Sequence, residues 1–187
     1  MEALKIAERL RDSLPLMREW VEATLGAYAD RAVPVLDEGF ERLASVFPRA
    51  LLRRAKAVVL EGKVPFPPLG SMGLPELAPM ERMPIAGITY DNTFFVSRFH
   101  RTESLYFHEM VHVVQWQTLG VDRFLLAYGV GIFRFGYMDC PLEKTAYELQ
   151  GDFDRGLCPG NIMERITAEA DAVWKDVSTL FPSARPV

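Results

Sequence analysis

Phe107-His108-Glu109-Met110-Val111-His112-Val113-Val114-Gln115-Trp116 decides how the rest of this chain is read. Two histidines four residues apart stand among apolar residues, a spacing that puts both imidazoles on one face of an α-helix. Their ring nitrogens can then share one metal ion, and Glu109 lies near enough to take a proton from a water at that ion. Leu105, His108, His112, Gln115 and Leu119 form one stripe, with Phe107, Val111, Val114 and Trp116 on either side, so the helix is expected to be largely buried. Buried imidazoles need partners for their ring nitrogens, and a metal would serve one nitrogen of each.

The flanking residues give this helix its ends and its setting. Thr102 is placed to cap the free amides of a helix starting at Glu103, and Gly120 to stop it. Just before it, Ile85 to Arg98 carries β-branched and aromatic residues on either side of Asp91-Asn92, which predicts a β-hairpin. That hairpin either offers a sheet edge to an extended peptide or simply covers the helix. Downstream, Asp122 is a candidate cap for a helix reaching toward Phe133, and Pro141 opens one running to Gly156. Asn161-x-x-Glu164 reads as the capping pattern of a last helix, from Asn161 to Leu180.

The N-terminal part reads as helical. Leu4, Ala7, Leu10 and Leu14 recur at helical steps, and after Pro15 a second pattern continues to about Arg31. Phe40 to Phe47 suggests a short helix, and Leu51, Leu52, Ala55, Val58 and Val59 another, ending at Gly62. Residues 64–84 are crowded with proline and glycine, which excludes a helix or a central strand and makes the segment a long loop or a linker. The expected organisation is a helical extension over 1–63, this loop or linker over 64–84, and a mostly helical α+β unit over 85–187.

Composition narrows the partners. The chain has 187 residues, a formal net charge of −4 and 49% hydrophobic residues, enough apolar content to bury a core without a metal holding it together. An acidic balance argues against nucleic acid or an anionic membrane as partner, since both call for a basic surface. Two cysteines, Cys140 and Cys158, fit no disulfide framework and no C-x-x-C pair. The first residues interleave acids with apolar residues unlike a signal peptide, and no apolar run approaches spanning length, so a cytoplasmic protein is expected. No feature of the sequence speaks to an oligomeric state.

A catalytic zinc takes three protein ligands and a water, so a further ligand is expected downstream. No histidine follows His112. His100 precedes the helix and would have to turn back sharply. Glu143 opens the next well-formed helix but one, with room for one intervening helix and its return, although a glutamate there also serves as an N-terminal cap. Glu148 is the reserve, and Cys140 is better read as a small buried apolar residue.

Over about residues 85–157 the chain resembles the gluzincin class of zinc metallopeptidases, and looks like a branch of small bacterial zincin-like proteins. The likeness is most specific in His108 to Gln115, preceded by Gly87-Ile88-Thr89-Tyr90, and in Pro141-Leu142-Glu143 followed by Ala146-Tyr147. The resemblance implies a zincin-like domain with Zn²⁺ as cofactor, bound by His108, His112 and Glu143. It also implies Glu109 as general base and a peptide or protein substrate. Tyr147 stands where many members of the class place an aspartate. Its hydroxyl could reach the ligand glutamate or a developing oxyanion, a role for which Tyr137, Arg134 and His100 are the other candidates. A zinc-dependent peptidase is therefore expected, with a zinc-binding protein of the same shape but no peptidase activity as the alternative.

Overall fold

The computed structural model describes residues 2–181. The last six positions of the expected 85–187 unit lie outside the described residues. The fold is α+β and mostly helical, with a small mixed four-stranded sheet.

The first helix, α1 (Glu2–Ala27), runs straight through Pro15, where the sequence predicted a break. Its buried face (Ile6, Leu10, Leu14, Met17, Val21) is continuous across the proline. Packing of that face outweighs the one backbone hydrogen bond a proline removes. Next come β1 (Val33–Pro34), α2 (Glu41–Val46) and α3 (Arg49–Arg54).

The helix predicted through Val59 is corrected at this point: α3 stops at Arg54, and Lys56–Leu60 is a strand, β2. Ala57, Val58 and Leu60 are all buried. β2 is an inner strand, paired antiparallel with β1 and parallel with β4 (Thr93–Ser97), the partner of Lys56 being Thr93. A short apolar run covered on both faces has no alternation to tell it from helix.

The predicted hairpin is present. β3 (Gly87–Tyr90) pairs antiparallel with β4 about Asp91-Asn92, and the strand order is β1-β2-β4-β3, so β3 is an edge. The sheet thus draws two strands from each side of segment 64–84. That segment packs down: Leu69, Leu74, Leu77 and Met80 are buried, and the Ser13 hydroxyl of α1 donates to the Met72 carbonyl at 2.7 Å.

The long helix α4 (Glu103–Phe135) begins as expected, with Thr102 Oγ1 accepting from the Leu105 amide at 3.2 Å. Gly120, the predicted stop, is its one non-helical residue, with φ 72° and ψ 170°; the chain kinks there and goes on. Asp122 pairs with Arg18 of α1. α5 (Pro141–Asp154) and α6 (Ile162–Ser178) pack on α4, and Asn161 makes no side-chain capping bond, contrary to the pattern read there. Gly129 of α4 lies hard against Leu10, and a β-carbon there would overlap the leucine, so α1 and α4 depend on a glycine for their close approach. Among the described residues, no helix is long and apolar enough to cross a membrane.

Candidate metal centre

α4 brings His108 and His112 to one face, one turn apart, with their Nε2 atoms 3.1 Å from each other. The first turn of α5 supplies Glu143, whose oxygens lie 3.4 Å from His108 Nε2 and 3.5 Å from His112 Nε2. One ligand atom from each of the three falls within 4.8 Å of the others, and all three residues are buried. The Glu143 carboxylate is turned to the histidines rather than to the amides of its own helix. Glu148 instead approaches Arg165.

The hydrogen bonds behind the imidazoles fix their tautomers. Gln115 Nε2 donates to the Leu142 carbonyl at 3.0 Å, so its Oε1 accepts from His112 Nδ1 at 2.8 Å. Gln150 Nε2 donates to Ser104 Oγ, whose own hydroxyl proton goes to Asp154, and Gln150 Oε1 accepts from His108 Nδ1 at 3.1 Å. Both Nδ1 atoms therefore carry hydrogen, and both Nε2 atoms face each other and Glu143. Tyr128 donates to Glu143 Oε1 at 2.6 Å, while Glu143 Oε2 is buried with no hydrogen-bond partner. Two imidazole nitrogens and two carboxylate oxygens thus converge on one point. Only a cation, a proton or a metal ion, reconciles them, and two imidazoles with one carboxylate are a donor set that suits zinc.

The charges follow this arrangement. Burial opposes a charged His112, but the Glu143 carboxylate outweighs it, with help from Glu109 and Gln115, and raises the imidazole to about 9. Burial also works against an ionised Glu143, yet His112 and His108 hold it well below the usual carboxylate range.

Glu109 sits beside this cluster, 2% exposed. The Thr89 hydroxyl of β3 donates to its Oε2 at 2.6 Å, and Gly87 of the same strand lies flat against the carboxylate. Burial raises its pKa, with the two histidines and the Thr89 bond pulling the other way. A raised carboxylate close to a metal centre is what a general base requires.

β3 is the edge strand of the sheet, and Gly87, Thr89 and Tyr90 on it are buried. Ser97 donates its amide to the Ala86 carbonyl, and hydrogen-bonded pairs alternate in an antiparallel ladder. Gly87 and Thr89 consequently turn their amides and carbonyls away from β4. Beside the cluster lies a cavity of about 90 Å³, with walls from α1 (Leu10, Met17), segment 64–84 (Phe66, Leu74) and α4 (Trp116, Ile132).

The tyrosine candidates lie together. The Tyr147 ring is 4.6 Å from that of His108, and its hydroxyl donates to Tyr137 at 3.4 Å. Tyr137 lines the cavity. Arg134 is turned away and paired with Asp176, and His100 is exposed in the turn before α4. Cys140 is buried and Cys158 partly so, and both are free.

Sequence reasoning missed Thr89, Tyr128 and Gln150. A signal existed for two of them: Thr89 shares a strand face with Gly87, and Gln150 lies two turns from Glu143 on the stripe that also holds Tyr147. Tyr128 carries no such mark. Comparisons with protein-family models, with curated proteins and with solved structures returned no match.

Proposed function

We propose that this chain is a zinc-dependent peptidase with a zincin-like domain, its zinc held by His108, His112 and Glu143. The observation that carries the reading is the convergence of ligand atoms from these three residues next to a separately seated carboxylate, Glu109. When bound, the ion supplies Lewis acidity toward a carbonyl and lowers the pKa of water. Glu109 takes the proton of the attacking water and delivers it to the leaving nitrogen. Thr89 and Gly87 hold that carboxylate in one place, so neither transfer requires it to reorganise. An extended substrate that reaches the buried edge of β3 pairs with Gly87 and Thr89, whose backbone groups face away from β4. The Tyr137 hydroxyl, receiving a bond from Tyr147, is left with its own proton to give to the developing oxyanion.

Burial favours a second reading, a zinc-binding protein that hydrolyses nothing. His108, Glu109, His112 and Glu143 are each 5% exposed or less. One measurement establishes zinc and a second separates the readings. Equimolar zinc in the wild type, lost in His112→Ala, is expected under both. Turnover of a mixed peptide library, reduced on the order of 10²–10⁴-fold in Glu109→Gln with zinc retained, is expected only of the peptidase. A zinc-loaded wild type that cleaves no member of a broad panel overturns it.

A further inference from the structure

Each of the three proposed ligands is held from behind by one neutral side chain: His112 by Gln115, His108 by Gln150, and Glu143 by Tyr128. The glutamines can do no more than orient a ring, because an imidazole whose Nδ1 is engaged has one nitrogen left to offer. A carboxylate is different. It can meet a cation through one oxygen or through both, and nothing in the residue itself decides which.

At Glu143 the surroundings decide it. Tyr128 donates its phenol proton to Oε1 at 2.6 Å, the one hydrogen bond that this carboxylate receives from outside the histidine cluster among the described residues. Oε2 is buried with no hydrogen-bond partner. A charge-assisted bond of this length fixes the plane of the carboxylate and engages Oε1, which leaves Oε2 as the oxygen whose lone pairs are unspent. The donor is itself fixed. Its ring lies nearly parallel to that of Phe124, at 14° and 5.6 Å between centroids, and the next residue, Gly129, is pressed against Leu10 of α1.

We infer that Tyr128 is a positioning residue that confines Glu143 to a single ligating oxygen, Oε2, and thereby makes the site select zinc over manganese. Zinc is satisfied by four ligands, whereas manganese favours carboxylate oxygens and octahedral surroundings. A carboxylate held to one oxygen suits the first ion and leaves the second under-coordinated. The inference rests on the zinc site of the reading above, and not on peptidase activity.

The test reads metal binding without turnover. Zinc and manganese affinities are measured by competition with a chelator, on the full-length wild type and on Tyr128→Phe. Zinc is expected to bind the variant about 10–100-fold more weakly, as when the partner of a metal ligand is removed, while manganese binds as well as before or better. A merely structural role would weaken both ions alike. Because Tyr128→Phe could fail to fold, a second measurement uses the wild type alone: X-ray absorption of the zinc-loaded protein should fit one carboxylate oxygen beside two imidazoles at about 2.0–2.2 Å. Equal losses for the two ions, unchanged zinc affinity in Tyr128→Phe, or two carboxylate oxygens on the zinc overturns the inference and leaves the zinc site standing. A wild type that binds no zinc removes both together. Selective zinc binding in a protein that cleaves no peptide removes the peptidase and keeps the role of Tyr128.

Discussion

Gly87 seats Glu109: a β-carbon at position 87 would overlap the glutamate's Oε1, so the carboxylate can lie against β3 only because this residue has no side chain. Gly87→Ala is expected to displace the carboxylate while leaving His108, His112 and Glu143 in place. Peptide turnover should fall on the order of 10²-fold, the usual result of misplacing a catalytic group by about 1 Å. Zinc content should stay equimolar. Loss of zinc together with activity would show that position 87 supports the fold rather than the base.

Gln115 and Gln150 hold the two imidazoles from behind, one bond to each Nδ1. Replacing either with alanine frees a ring to rotate and removes the acceptor that enforces its tautomer. Zinc affinity, measured by competition with a chelator, should drop about 10–100-fold in each variant. Glu148→Ala, on the face of α5 turned toward Arg165, serves as the control and should bind zinc as the wild type does.

The metal-free protein should show a stability plateau in mildly acidic solution. His112 is raised from 6.5 to about 9, so its contribution is fully present below about 6.5 and is lost as pH rises through about 9. Glu143 is lowered from 4.5, so its contribution is present above about 4.5 and is lost as pH falls toward its folded value. Urea midpoints in chelator should therefore be highest between about 4.5 and 6.5. Zinc needs a neutral His112, so its apparent affinity should climb as pH rises toward about 9, with proton release on binding. A pH-independent zinc affinity over that interval would mean that His112 carries no displaceable proton.

Tyr137 and Tyr147 should differ in effect although their hydroxyls touch. Tyr137 lines the cavity and has its own proton to give, so Tyr137→Phe is expected to lower kcat on the order of 10²-fold with KM little changed. Tyr147 acts through Tyr137 and through its packing on His108, so Tyr147→Phe should cost about tenfold or less. The opposite ranking would return the oxyanion role to Tyr147.

What the sequence made legible was local. The two histidines, the Thr102 cap, the Gly120 break and the Asp91-Asn92 turn all follow from spacing and from the conformational habits of single residues. Glu143 could be ranked from its place at the start of a helix, but not chosen over a capping role, because the choice depends on how α5 docks on α4. β2 resembles a helical segment because a strand buried on both faces shows no alternation, and Pro15 resembles a break although the buried face of α1 carries the helix across it. Tyr128 bonds Glu143 only because α4 continues past its kink, a fact of packing with no trace in the nearby residues.

The parallel pairing of β2 with β4 also imposes an order on assembly. Those strands meet only after the whole intervening stretch has closed into a loop, and distant parallel pairings are slow to form, whereas helical turns form within microseconds. The two proposed histidine ligands share one helix and come into register early; Glu143, carried by α5, joins them only as the helices dock. A site that needs all three residues is therefore complete only when the helices have packed.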